Sequence, residues 1–89
     1  MITKKIMLIN QLGLHARAAA KFVNHASRFL STITVKKDNK IINGKSIMGI
    51  MMLAAPYGTI LEITIDGKDE FEMMNDLEVL INKKFGEPS

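Results

Sequence analysis

His15 and Arg17 are the two residues of this chain whose types and spacing could do chemistry together. They lie in the stretch Gly13-Leu14-His15-Ala16-Arg17, near the beginning of the 89 residues. A neutral imidazole nitrogen is a nucleophile near neutral pH, and a guanidinium group presents a planar fork of donors that matches the oxygens of a phosphate. The pair could therefore accept a phosphoryl group on His15 and hold it with Arg17.

A helix should begin at or just after His15. The alanine-rich run that follows favours a helix, and its apolar residues recur at steps of three and four. These residues are Ala19, Phe22, Val23, Ala26 and Leu30. The first N–H groups of such a helix have no intrahelical partner and carry partial positive charge, so they form an anion site. The same field disfavours an imidazolium at His15, and a bound anion would explain a cation at Arg17 in the first turn.

Length and composition indicate one small domain over residues 1–89. The chain is 47% hydrophobic and 24% charged, as in ordinary globular proteins. No run approaches the roughly 18 apolar residues of a membrane span, and no signal-peptide pattern is present. Cysteine is absent, which excludes disulfides and thiol chemistry. These absences indicate a cytoplasmic protein that does not bind a membrane. The net charge of +3 is mild and its lysines are scattered, which argues against nucleic-acid binding. We also expect the protein to be a monomer.

The predicted order of elements is strand, helix, strand, strand, helix, strand, helix. Alternating apolar residues and turn signals predict strands at Ile2–Ile9, Ser31–Lys37, Lys40–Asn43 and Ile60–Asp66. The last helix should begin with a capping box formed by Asp69 and Glu72 and end near Lys83 and Lys84. Its predicted buried stripe is Phe71, Met74, Leu77, Ile81 and Phe85.

Helices with one apolar stripe each must cover one face of an antiparallel sheet. The pattern therefore predicts a two-layer α+β fold, in which three helices cover a four-stranded antiparallel sheet whose other face is open to solvent. The first strand fits this arrangement poorly, because Met7 and Ile9 would point outward.

Ser46 and the methionines after it form a second candidate region. Ser46 is well suited to cap a short helix that stops before Pro56. A helix this short cannot bury all of its apolar residues, and flexible thioethers suit a surface that meets several partners. We expect partners to dock on Ile47, Met48, Met51 and Met52.

The sequence offers no other catalytic site. His25 is interpreted as a solvated surface residue, and it has no nearby acidic residue with which to hold a metal together with His15. The stretch Asn43-Gly44-Lys45-Ser46 lacks the upstream glycine of a P-loop. We therefore expect no metal and no cofactor, and a phosphoryl-transfer intermediate that is not a self-sufficient enzyme.

The chain resembles the HPr family, the histidine-containing phosphocarriers of the bacterial phosphoenolpyruvate-dependent sugar phosphotransferase system. The resemblance covers the whole chain and is carried by Gly13-Leu14-His15-Ala16-Arg17 and by Lys45-Ser46-Ile47-Met48-Gly49-Ile50-Met51. It implies an open-faced β-sandwich and phosphorylation of His15 on Nδ1 by enzyme I, with onward transfer to enzyme IIA units of sugar permeases. It also implies a regulatory phosphorylation at Ser46 by HPr kinase/phosphorylase, in bacteria that have that enzyme. One departure is Ala18, where the family usually has proline, which puts the rigidity of the loop in doubt.

Two other functions remain compatible with the sequence. One is a regulatory interaction protein of the same fold, which acts through Ser46 and the methionine surface while His15 stays idle. The other is an RNA-binding domain with a similar order of elements, although the predicted sheet offers no cluster of aromatic residues for base stacking.

Overall fold

The computed structural model describes residues 1–89 and has the predicted α+β architecture. Its strands are β1 (Ile2–Met7), β2 (Thr32–Lys37), β3 (Lys40–Asn43) and β4 (Ile60–Asp66), and its helices are α1 (Ala16–Ala26), α2 (Ile47–Met52) and α3 (Glu70–Asn82). All strand pairs are antiparallel, in the order β1-β4-β2-β3. The three helices lie on one face of this sheet, which makes the fold an open-faced β-sandwich.

Strand alternation creates the core beneath the helices. In β4, Leu61, Ile63 and Ile65 are fully buried, while the residues between them are partly exposed. Ile63 pairs with Val35 of β2, which is also fully buried. Because side chains of a strand alternate between faces, this register puts the apolar residues of both central strands under the helices. No helix is long and apolar enough to cross a membrane.

The first strand and the first helix are both shorter than predicted. β1 ends at Met7, which is exposed, and Ile9 beyond it is half-buried. Met7 points outward, as predicted, because its neighbours Ile6 and Leu8 are the residues that lie in the core. α1 ends at Ala26, so Leu30 lies beyond the helix and is exposed.

The start of α3 differs from the prediction in two ways. Phe71 is 72% exposed, and Met73 takes its place in the core. The predicted capping box between Asp69 and Glu72 does not form. The Asp69 carboxylate accepts instead from the Ser31 hydroxyl and from the backbone N–H groups of residues 30 and 31, and these hydrogen bonds hold its pKa below the usual value.

A loop between β1 and α1 brings His15 to the start of α1. Gly13 has φ +65°, a left-handed conformation that glycine adopts at little cost. A Cβ at this position would collide with the carbonyl oxygen of Ala55 and would lie 2.8 Å from Cα of Pro56. The N–H of Leu14 donates to the same Ala55 carbonyl, at 2.9 Å. The loop before His15 is therefore packed against the segment that follows α2, and only glycine fits at its closest point.

We predict that Gly13→Ala destabilises the protein much more than Gly58→Ala. Gly58 is the matched control, because it also has a left-handed φ, +86°, but an added Cβ there would meet no atom within 4 Å. In both variants backbone strain should lower the free energy of unfolding by about 1–2 kcal/mol. In Gly13→Ala overpacking should lower it by about 1–3 kcal/mol more. Urea unfolding followed by circular dichroism measures both. Equal losses in the two variants would show that the contact with Ala55 and Pro56 does not constrain the loop.

Candidate active site at the start of α1

His15 caps α1 with its backbone and leaves its side chain free for other contacts. The residue is extended, with φ −74° and ψ 177°, and its side chain makes no capping hydrogen bond. Its carbonyl oxygen accepts from the N–H of Ala19 at 2.8 Å, which is the first bond of the helix. The start of the helix is thus where the alanine-rich sequence predicted it.

The first turn of α1 presents three backbone donors without acceptors. The N–H groups of Ala16, Arg17 and Ala18 have no hydrogen-bond partner in the protein. The Arg17 side chain is exposed and makes neither a hydrogen bond nor an ion pair with the protein. The structure therefore brings together His15, Arg17 and a helix N-terminus, an arrangement that suits an anion.

The ring of His15 is held by a carboxylate that the sequence did not reveal. Its Nε2 atom is hydrogen-bonded to Oε2 of Glu87, 72 residues along the chain. The Nδ1 atom has no protein partner, and the His15 side chain is 27% exposed. One ring nitrogen is therefore occupied, and the other is free to react.

The segment after α3 puts Glu87 in this position. Lys84, Phe85 and Gly86 all have positive φ, so the chain turns sharply after the helix. The Phe85 side chain is buried in the core, and its carbonyl accepts from Nζ of Lys21 in α1 at 2.6 Å. Burial of an aromatic side chain contributes enough to offset a strained turn. The turn directs Glu87 back toward the first turn of α1.

Asn10 fixes the Glu87 carboxylate from the other side. Asn10 is fully buried, and its Nδ2 donates to Oε1 of Glu87 at 3.0 Å and to the Gly13 carbonyl at 2.8 Å. Burial alone would raise the pKa of Glu87, but the hydrogen bonds from Asn10 and His15 outweigh it and hold the pKa below its usual value. Glu87 is thus an ionised carboxylate against His15.

The second candidate region is a short helix with an exposed apolar side. Oγ of Ser46 accepts from the N–H of Gly49 at 3.0 Å, so the predicted cap forms. Ile50 is the one residue of α2 that is buried. The four residues predicted to dock partners are all exposed, from 42% at Ile47 to 75% at Met48, with Met51 and Met52 between them.

His25 is less isolated than its sequence surroundings indicated. Its Nδ1 hydrogen-bonds Oδ2 of Asp76 in α3 at 2.7 Å, and its side chain is 26% exposed. His25 therefore lies at the surface, as predicted, but its ring is partly buried and is paired with a carboxylate. The pair links α1 to α3, and it lies on neither the His15 loop nor α2.

Comparison with known proteins identifies the family. A family model described as "PTS HPr component phosphorylation site" matches residues 2–83. The phosphocarrier protein HPr of Neisseria meningitidis serogroup A is 54% identical over 87 residues, which cover 98% of each chain. This chain belongs to the HPr family. The members of this family are phosphocarriers of the phosphotransferase system, as the resemblance carried by the two sequence motifs implied.

Solved HPr structures agree with the fold. A crystal structure of HPr-C-His from Thermoanaerobacter tengcongensis is 48% identical, covers 100% of both chains and superimposes with a TM-score of 0.96. A crystal structure of an HPr dimer from the same organism is 49% identical, covers 98% of this chain and 100% of its own, and has a TM-score of 0.79. The HPr fold is thus shown over the full length, including the open-faced sheet.

Proposed function

We propose that this HPr-family chain carries a phosphoryl group from enzyme I to enzyme IIA units of sugar permeases, with His15 as the acceptor. The observation that carries the proposal is the free Nδ1 of His15 beside three unpartnered backbone N–H groups. The lone pair of Nδ1 attacks phosphorus, and the bond from phosphorus to the donor breaks as the new bond to nitrogen forms. The reverse exchange then delivers the group to a nucleophile on the next protein.

The helix N-terminus and Arg17 would hold the phosphoryl oxygens during each transfer. A phosphoryl group carries about −1.5 to −2 charge near pH 7, and backbone N–H groups at a helix start stabilise such a charge. Ala18 is fully buried, so the N–H groups open to a phosphate are those of the exposed residues Ala16 and Arg17. The Arg17 guanidinium makes no competing bond within the protein and is available to a phosphate.

Residues 1–89 would act as one phosphocarrier domain, monomeric and cytoplasmic. Partners would dock on the exposed apolar side of α2, formed by Ile47, Met48, Met51 and Met52. Flexible thioethers adapt to partners of different shape, which suits a protein that must bind a donor and several acceptors in turn.

We expect enzyme I and phosphoenolpyruvate to add one acid-labile phosphoryl group, and His15→Ala to abolish the labelling. His25→Ala is the control, because it removes the other histidine and leaves the start of α1 intact. Mass spectrometry at neutral and acidic pH follows the label. If His15→Ala is labelled as well as the wild type, another residue is the acceptor. If the wild type itself is not labelled, a regulatory interaction protein with an idle His15 becomes the better interpretation.

Arg17→Lys should slow phosphoryl transfer without unfolding the protein. The lysine keeps the positive charge but loses the planar pair of donors that matches two phosphate oxygens. Arg28→Lys is a matched control, since the Arg28 side chain is also exposed and makes no hydrogen bond, but it lies beyond the opposite end of α1. Rapid-quench kinetics with enzyme I measures the rates. Equal rates for both variants and the wild type would exclude Arg17 from phosphate binding.

Ser46 would regulate the carrier by placing charge beside the docking side of α2. A phosphate at the N-cap of α2 would not disrupt the helix, because negative charge is favourable there. Any partner that buries Ile47 or Met48 would have to desolvate or neutralise that charge. An enzyme I with an acidic docking face would therefore bind the phosphorylated chain more weakly. A regulatory partner that presents arginines would bind it better. The enzyme that adds this phosphate would be HPr kinase/phosphorylase, where the bacterium has it.

Ser46→Asp should retain the melting temperature and reduce phosphorylation of His15, with a loss that shrinks as salt is raised. Ser46→Asn is the matched control, because asparagine caps a helix as well as aspartate does but carries no charge. Ser46→Ala should lose about 1 kcal/mol of stability with the cap and transfer normally. Calorimetry and initial rates of labelling measure these effects. Equal transfer rates for the Asp and Asn variants at low salt would rule out regulation by charge.

A further inference from the structure

The contact between His15 and Glu87 determines more than the position of the ring. Glu87 is ionised, and an ionised carboxylate can only accept hydrogen bonds. The hydrogen that bonds Oε2 of Glu87 must therefore lie on Nε2 of His15. In a neutral imidazole one nitrogen carries the hydrogen and the other carries the lone pair, so the lone pair of a neutral His15 lies on Nδ1.

We propose that Glu87 is a positioning residue that fixes the Nε2–H tautomer of His15 and so directs the phosphoryl group to Nδ1. The inference rests on the proposed role of His15 as acceptor and adds a reason for the choice of nitrogen. It concerns a residue outside the 2–83 range of the matched family model. The Glu87 side chain is only 9% exposed, so water competes little for its contact with the ring.

Glu87 also balances charge during the transfer. When Nδ1 forms its bond to phosphorus, Nε2 keeps its hydrogen and the ring becomes positively charged. The bond from phosphorus to the donor breaks at the same time, and the donor leaves with that electron pair. No proton has to move within this chain, because the Glu87 carboxylate stabilises the charged ring through the same hydrogen bond. In the reverse transfer the ring returns to the Nε2–H form and is ready for another cycle.

Asn10 determines which oxygen of Glu87 faces the histidine. Its Nδ2 donates to Oε1 of Glu87, so Oε1 must remain an acceptor, and Oε2 is left for His15. Replacement of Glu87 by glutamine has a specific consequence here. The amide oxygen of the glutamine must face Asn10, and its NH₂ group then faces Nε2 of His15. That NH₂ group would donate to Nε2 and move the ring hydrogen to Nδ1, which is the wrong tautomer for attack.

The decisive experiment compares the wild type with Glu87→Gln and Glu87→Ala. Ring ¹H–¹⁵N correlation spectra, recorded at a pH where His15 is neutral, report which nitrogen carries the hydrogen. We expect Nε2–H in the wild type, Nδ1–H in Glu87→Gln and a mixture in Glu87→Ala. Glu72→Gln is the matched control, because Glu72 is an exposed glutamate on α3 without a side-chain hydrogen bond, and it should match the wild type.

Phosphorylation by phosphoramidate provides the second measurement. This small donor has no docking surface, so the choice of nitrogen depends on this chain alone. We expect the wild type to be labelled on Nδ1 and Glu87→Ala on both nitrogens, as read from ³¹P–¹⁵N spectra. Glu87→Gln should be labelled on Nδ1 about 10- to 100-fold more slowly, by analogy with the loss of activity when the carboxylate that orients a metal-binding histidine is replaced. Melting temperatures close to that of the wild type show that the variants are folded.

The two proposals fail in different ways. If Glu87→Gln and Glu87→Ala keep the wild-type tautomer and the wild-type nitrogen, Glu87 does not position His15. If the wild type is not labelled on His15 at all, the carrier function fails instead. The ring spectra need no phosphoryl donor, so they decide the role of Glu87 in either case.

Discussion

The site depends on the way in which α1 begins. His15 supplies the helix cap through its carbonyl oxygen, which bonds the N–H of Ala19, and not through its side chain. Most helices satisfy their first N–H groups with a side chain at the cap. Here those groups stay unpaired at Ala16, Arg17 and Ala18, and the ring that could have capped them is hydrogen-bonded to Glu87 instead. The conformation of His15 therefore accounts for both parts of the proposed site, the nucleophile and the group of free N–H donors.

Distant segments hold this arrangement in place. Gly13 allows the loop to approach the segment after α2 closely enough for Leu14 to bond Ala55. Asn10 joins that loop to Glu87, and the buried Phe85 secures the turn that carries Glu87. The start of α1 is thus braced by the segments that follow α2 and α3. This bracing lets a partly exposed histidine keep one orientation, as the repeated phosphorylation that we propose would require.

The sequence predicts the parts of this structure that depend on neighbours along the chain. The alternation of apolar and polar residues predicts β4. The cap of α2 is predicted by the serine at position 46 and by the apolar run that follows it. The stripe of α3 is harder to predict, because apolar residues lie on most sides of that helix. Phe71 fits the helical spacing as well as Met73 does, and only the position of α3 over the sheet decides which of them is buried.

The sequence predicts half of the site for the same reason. His15 and Arg17 lie in one motif, so the hypothesis that they act together can be made without knowing the fold. Glu87 is 72 residues away from His15, and nothing near Glu87 marks it as a partner of a histidine. Asn10 looks like an ordinary loop residue until the structure shows that it is fully buried. Likewise, only the packing of α1 against α3 brings His25 to Asp76.

If the first turn of α1 holds the phosphoryl group, backbone amide shifts are the most direct measurement of that contact. A ¹H–¹⁵N spectrum of the labelled chain is recorded before and after phosphorylation by enzyme I. We expect the amide protons of Ala16 and Arg17 to move downfield more than any others, because they form new hydrogen bonds to an anion. Unchanged signals at these two residues, with the largest shifts in Ile47–Met52, would contradict a phosphate site at the start of α1.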